Sequence, residues 1–130
     1  MEPFLFELYH KVSSFIVTVH PQPFASDAIR SAYQFCRAII ENQHQLKAVF
    51  FYQDSVAIAH KTLELPSDEF NGQTAFAELA KKTNTPLLLC VTAAEKRGLD
   101  IKDVYEPYTI SGLAEFASIA ASVDKVVQFK

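Results

Sequence analysis

The feature that most constrains the fold is the stretch at 86–98, PLLLCVTAAEKRG. A proline opens an apolar run that ends at Cys90, and alanines, charged residues and Gly98 follow at once. This pattern predicts a buried strand at 87–91 that passes directly into a short helix, with Cys90 at the junction. Ligands and chemistry collect at the carboxyl ends of strands in open α/β sheets, and the positive end of a helix favours a thiolate. Cys90 is therefore the first candidate for a functional residue.

Strand and helix patterns alternate along the rest of the chain. Short apolar or β-branched runs predict further strands at 15–19, 46–52, 109–110 and 124–129. Helical spacing of apolar residues predicts helices at about 26–43, at 72–82 and after 111. Strands that alternate with helices form right-handed crossovers and a mainly parallel sheet covered on both faces. We predict an α/β fold: a single three-layer α/β/α domain at 13–130 with a mainly parallel sheet of about five strands, preceded by an N-terminal extension at 1–12.

Composition excludes several classes of protein. The net charge is −3, and no run of basic residues exceeds Lys81-Lys82, whereas a direct grip on nucleic acid needs a basic stripe. The first residues are acidic and apolar, unlike a signal peptide, and no apolar run approaches the length of a membrane span. We expect a cytoplasmic protein that contacts neither nucleic acid nor a membrane directly.

Cofactor and metal signatures are also absent from the sequence. The three glycines are not grouped, so neither a dinucleotide fingerprint nor a phosphate-binding loop is present. The loop after the first predicted strand contains Pro21 and Pro23, which remove backbone donors that a phosphate site needs. The four histidines and two cysteines show no zinc-ligand spacing. We expect no organic cofactor and no metal.

The two cysteines differ in their sequence context. Cys36 lies in the apolar stripe of the helix at 26–43 and is predicted to be a small buried hydrophobe. For Cys90, periodicity alone leaves packing and function equally open. Lys96 and Arg97 follow it by one to two helical turns and are candidates to stabilise a thiolate or a persulfide anion there if the helix brings them round to the thiol.

Two histidines lie in predicted loops just past strands, on the same rim as Cys90. His20 and His60 are candidates to assist proton movement at the thiol, although the sequence favours an ordinary surface or hydrogen-bonded position for each. Spacing also leaves a cysteine–histidine hydrolase open, although no loop in the sequence marks an oxyanion site. The sequence does not decide which histidine, if either, assists Cys90.

Five blocks of sequence resemble one protein family. They are FFY at 50–52, PSDEF at 66–70, LCVTAA at 89–94 with Arg97-Gly98, TISGL at 109–113, and DKVVQF at 124–129. In order and approximate spacing they resemble the DsrE/TusD-like sulfur-relay proteins, and TusD-type subunits most of all. The similarity runs from about Phe15 to Phe129. The loop at 20–24 departs from the family pattern, which has glycines after the first strand.

The resemblance implies a DsrE-like fold and a sulfurtransferase activity. The family's reactive cysteine corresponds to Cys90, which would accept a sulfane sulfur as a persulfide and pass it to the cysteine of the next carrier, without cofactor or metal. TusD-like members serve 2-thiolation of the wobble uridine in certain transfer RNAs, beside two related subunits in a heterohexamer. DsrE-like members serve dissimilatory sulfur oxidation. The implied partners are sulfur-donor and sulfur-acceptor proteins and related subunits.

Three readings remain at this point. The chain is either a carrier or a non-catalytic assembly subunit of a DsrE-type complex, in which Cys90 is only a buried residue. An unrelated cysteine enzyme on the same fold is the third reading. The sequence does not identify the donor, the acceptor or the oligomeric state.

Overall fold

A computed structural model describes residues 11–130, in which five strands alternate with four α-helices. The strands are β1 Ser14–Val19, β2 Gln45–Phe51, β3 Leu87–Cys90, β4 Tyr108–Ser111 and β5 Lys125–Phe129. The helices are α1 Ser26–Glu41, α2 Gly72–Thr83, α3 Val91–Lys96 and α4 Leu113–Ser122, with 3₁₀ segments at Gln53–Ala59 and Ile101–Asp103. No helix of this described part is long and apolar enough to cross a membrane. Residues 1–10 of the predicted N-terminal extension lie outside the described residues.

The strands form one sheet in the order β4-β3-β2-β1-β5. Every pair of neighbouring strands is parallel. All five strands therefore end at the same edge of the sheet, and the α/β fold class predicted from the sequence is confirmed.

Helices cover both faces of the sheet, as the alternation of elements predicts. On one face, Phe76 of α2 packs edge-on against Phe51 of β2, with ring centroids 5.3 Å apart. On the other face, Phe116 of α4 packs against Phe50, the preceding residue of β2, at 4.8 Å. Successive residues of a strand point to opposite faces, so this one pair of phenylalanines anchors both outer layers.

Helices α1 and α2 approach closely on one face of the sheet. A Cβ atom at Gly72, the first residue of α2, would collide with the side chain of Ile29 in α1. Glycine is required at this position because the two helices leave no room for a side chain. Both Gly72 and Ile29 are buried in the resulting layer.

A buried amide connects α2 to the segment that follows β2. Gln73 Nε2 donates hydrogen bonds to the carbonyl oxygens of Ile58 and His60, both at 2.8 Å. The Tyr108 hydroxyl of β4 donates to the Gln73 carbonyl at 2.8 Å, and burial raises the pKa of Tyr108 well above its ordinary value. Buried polar groups are stable only when they are paired, so these bonds fix the 3₁₀ segment against α2 and β4.

Replacing Gln73 by methionine tests this connection. Gln73→Met keeps the side-chain length but removes both donated hydrogen bonds, so we expect the free energy of unfolding to fall by about 2 kcal/mol. Urea denaturation measures the change. Gln34→Met, on the exposed side of α1, is the matched control and is expected to change stability by less than about 0.5 kcal/mol. Equal effects of the two substitutions would contradict the structural role given to Gln73.

Candidate functional site

Parallel pairing places four polar residues in one row at the carboxyl edge of the sheet. His20 and Tyr52 are the first residues after β1 and β2, and the strand registers align them with Cys90, the last residue of β3. Ser111, the last residue of β4, pairs directly with Cys90. Residues aligned across neighbouring strands project to the same face, so this row is the candidate site.

Cys90 sits at the junction that the sequence predicts. It ends the buried strand β3 and is the residue that precedes the first turn of α3. Its thiol is free and the residue is 6% exposed. The six-residue helix then ends at Lys96 and is followed by its capping residue, Arg97. Gly98 comes next with a φ of 68°, a left-handed conformation that favours glycine. Cys90 is thus held by a strand on one side and a helix on the other.

Cys36 has the structural position predicted for it. It belongs to the buried face of α1, is 0% exposed, and burial raises the pKa of its thiol to about 12. A thiol with so high a pKa contains almost no thiolate at neutral pH and is chemically inert. Cys90 is therefore the cysteine at the sheet edge that is left for chemistry.

Tyr52 is the neighbour of Cys90 on the β2 side of the row. The imidazole ring of His20 stacks on its phenol ring, with centroids 5.1 Å apart and planes 13° from parallel. Burial raises the pKa of Tyr52, and the neighbouring charge of Cys90 raises it further. The hydroxyl therefore stays protonated and keeps its hydrogen for donation. Strand pairing places Tyr52 next to Cys90, because Phe51 and Leu89, the residues before them, are register partners.

Of the two histidines considered from the sequence, the row includes His20. His60 lies at the end of the 3₁₀ segment, where it forms an isolated bridge with Val104. Its Nδ1 atom accepts a hydrogen bond from the Thr62 amide at 3.2 Å and lies 2.9 Å from the Thr62 hydroxyl. The Nδ1 atom of the His60 imidazole thus has its polar partner, Thr62, within its own loop.

The role of Arg97 at the Cys90 thiolate stays a prediction, and the contacts of its guanidinium are with two other groups. Its guanidinium binds Asp54 Oδ1 at 2.8 Å and also donates to the carbonyl oxygen of Ala93 at 3.0 Å. Asp54 follows Tyr52 by two residues, so the ion pair links the segment after β2 to the end of α3. The side chains are 33% and 69% exposed, and a pair so accessible to water stabilises the fold by less than about 1 kcal/mol. Lys96 is exposed in the last turn of α3.

A second polar pair lies beside Cys90 on the β4 side. The Ser111 hydroxyl donates a 2.5 Å hydrogen bond to Glu115 Oε2, which extends from the first turn of α4. Ser111 is 5% exposed, whereas Glu115 is exposed to solvent. The short bond fixes the start of α4 over the end of β4, next to the cysteine.

The described residues hold no group of three or more histidine, cysteine, aspartate or glutamate side chains arranged for a metal ion. A groove runs beside β4, lined in part by Lys61, Ile101 and Pro107, and Cys90 is not among its lining residues. The row itself offers a thiol with a phenol on one side and a hydroxyl on the other, and an imidazole beyond the phenol.

Sequence reasoning identified Cys90 and His20 but missed Tyr52, Ser111 and Glu115. The sequence predicts Tyr52 as the last residue of a strand and Ser111 as the residue at which a helix starts. The signal available was their common position at strand ends, which meet at one edge when strands are parallel. Register, which decides that they share a row, is set by pairing between distant segments and is not visible in local spacing.

Comparisons with known proteins agree with this architecture. Residues 13–129 match the DsrE/DsrF-like family. The chain is 35% identical over 127 residues to a sulfurtransferase TusD homolog of Vibrio parahaemolyticus, covering 89% of this chain and 97% of that protein. It is 34% identical over 117 residues to sulfurtransferase TusD of Proteus mirabilis, covering 82% and 90%. The ychN protein of E. coli has a similar fold, with a TM-score of 0.80, 24% identity, and coverage of 91% and 100%.

The contrast between the two cysteines predicts selective alkylation. With iodoacetamide at neutral pH, we expect the folded protein to gain one adduct, on Cys90. The Cys36 thiol, with a pKa of about 12, should react on the order of a thousandfold more slowly than an ordinary thiol. Intact mass and peptide mapping measure the sites, and denatured protein, in which both thiols react, is the control. Prior or equal modification of Cys36 in the folded state would contradict the assignment.

Proposed function

The chain belongs to the DsrE/DsrF-like family and acts as a sulfurtransferase, and we propose that Cys90 is the residue that carries the sulfur. In this proposal the sulfur is held as a persulfide and relayed to the cysteine of a downstream carrier protein. The observation that carries the proposal is the position of Cys90: a free thiol at the carboxyl edge of a parallel sheet, next to Tyr52 across the paired strands β2 and β3.

The proposed transfer needs no oxidant or reductant. The Cys90 thiolate attacks the outer sulfur of a donor persulfide, a new S–S bond forms at Cys90, and the donor's S–S bond breaks to release the donor thiolate. An acceptor thiolate then attacks the outer sulfur on Cys90, and Cys90 leaves as a thiolate. The proton carried by the outer sulfur travels with it. Each step exchanges one S–S bond for another, so the oxidation level of the system is unchanged.

The names of the relatives indicate which process the relay serves. Two of them are named as sulfurtransferase TusD or its homolog, so we propose that the relay serves 2-thiolation of the wobble uridine in transfer RNA. The transfer RNA is reached through other carrier proteins in the cytoplasm, in keeping with the net charge of −3. A relay in sulfur oxidation would use the same chemistry at Cys90 with different partners.

Related subunits are proposed as partners because one outer layer is incompletely buried. Helix α4 has the sequence LAEFASIAAS, yet none of its ten residues is buried. Leu113 at its start is 54% exposed, and Val126 in the edge strand β5 is 43% exposed. Apolar surface of this kind is typical of protein–protein contact, so we propose that subunits related to this chain cover it. In this proposal residues 13–130 form the domain and residues 1–12 an extension of it.

Persulfide loading tests the proposed function. The protein is incubated with glutathione persulfide, freed of excess reagent, and analysed by intact mass and peptide mapping. We expect one added sulfur atom per chain, on Cys90, and no gain in Cys90→Ser. Cys36→Ala is the matched control and should load like the wild type, because Cys36 lies in the core.

Two results would contradict the proposal. One is a wild-type protein that gains no sulfur under conditions in which the reagent persulfidates a small thiol. This result would favour the reading of the chain as an assembly subunit. The other is an added sulfur that persists in Cys90→Ser, which would move the chemistry to another residue.

A further inference from the structure

Backbone hydrogen bonds hold His20 and Tyr52 in place although both residues lie just beyond the ends of their strands. The His20 amide donates to the carbonyl oxygen of Phe129, and the Tyr52 amide donates to that of Val19, both at 2.9 Å. These bonds continue the sheet ladder by one residue beyond β1 and β2. Pro21, the next residue, restricts His20 to an extended backbone. Both backbones are therefore locked where the two rings stack.

The phenol ring of Tyr52 is also held from the α4 side of the sheet. Phe116 meets it edge-on, with centroids 5.7 Å apart and planes at 82°. The His20 ring lies nearly parallel to the same ring at 5.1 Å. Stacked and edge-to-face aromatic pairs each favour one geometry, so together they give the Tyr52 ring a single orientation. The register of β2 and β3 places this ring beside Cys90 at the sheet edge, because Phe51 and Leu89, the residues before Tyr52 and Cys90, are paired.

We propose that His20 is a positioning residue for sulfur transfer: stacked on Tyr52, it holds the Tyr52 hydroxyl as a hydrogen-bond donor to the sulfur of Cys90. This proposal rests on the proposed function of Cys90. When an acceptor removes the outer sulfur, the electron pair of the broken S–S bond stays on Cys90, which becomes a thiolate. A hydroxyl held beside that sulfur donates a hydrogen bond to it and stabilises the negative charge as it develops.

The imidazole acts through its ring face and not through its nitrogen. His20 Nε2 is buried and has no hydrogen-bond partner within residues 11–130. Within this described part of the chain no hydrogen bond at Nε2 orients the ring, so we infer its role from the stack on Tyr52. A flat aromatic side chain without the nitrogen should consequently perform the same task.

Transfer of the outer sulfur to cyanide tests the proposal. Protein loaded with persulfide is mixed with cyanide, whose carbon attacks the outer sulfur; thiocyanate forms, Cys90 leaves as a thiolate and the proton goes to solvent. Thiocyanate release gives the rate. Tyr52→Phe is expected to lower the rate about tenfold or more, because it removes a hydrogen bond to a charged group. His20→Ala should lower it to a similar extent, and His20→Phe should restore most of it.

A double substitution distinguishes positioning from an independent effect. Because His20 is proposed to act through Tyr52, the combined His20→Ala, Tyr52→Phe protein should be no slower than Tyr52→Phe alone. Tyr33→Phe removes a hydroxyl on the opposite face of the sheet, where Tyr33 packs against Phe76, and is the matched control with an unchanged rate. His60→Ala should likewise match the wild type.

Three outcomes would overturn the positioning role while leaving Cys90 as the carrier: a wild-type rate in His20→Ala, a His20→Phe protein as slow as His20→Ala, or additive losses in the double substitution. Failure of the wild-type protein to load sulfur would overturn the carrier function and this inference together. Circular dichroism of each variant confirms the fold, and Tyr52→Phe and His20→Phe, which keep the aromatic stack, provide the test if His20→Ala is unstable.

Discussion

Parallel pairing of all five strands is the constraint on which the candidate site depends. Because every strand runs in the same direction, His20, Tyr52, Cys90 and Ser111 reach one edge of the sheet although as many as 91 positions separate them in the chain (111 − 20). The connection after each strand returns the chain to the opposite edge, where the next strand begins. Every strand therefore ends at the edge that holds Cys90. The register of the strands determines which residues lie next to Cys90 at this edge.

The sequence predicts the elements of this fold well because apolar periodicity is a local property. The predicted strand at 87–91 agrees with β3 to within one residue, a short helix follows it as predicted, and Cys36 lies in the core on α1. Partners of the site were harder to predict, since they depend on pairing between distant segments. Arg97 shows the limit: its sequence position suggested a contact with the thiol, but Asp54, 43 residues away, binds its guanidinium.

The polar contacts around the site differ in what they contribute. The exposed Asp54–Arg97 pair adds little stability but links the segment after Tyr52 to the helix after Cys90. The buried hydrogen bonds of Gln73 hold the segment after Tyr52 against α2. The aromatic contacts of Tyr52 then set the orientation of one ring. Rigid support from several elements is what a sulfur carrier requires, because its reacting atom must meet a partner thiol without a deep pocket to guide it.

The central claim is that Cys90 carries sulfur at this edge, and a crystal structure of the protein treated with a persulfide donor tests it most directly. The account predicts electron density for one additional sulfur atom bonded to Cys90 Sγ, with the Tyr52 hydroxyl in hydrogen-bond contact with the sulfur. Cys36 should remain an unmodified thiol in the core. Density for added sulfur on Cys36, or an unmodified Cys90 in crystals whose protein carries the added mass, would contradict it.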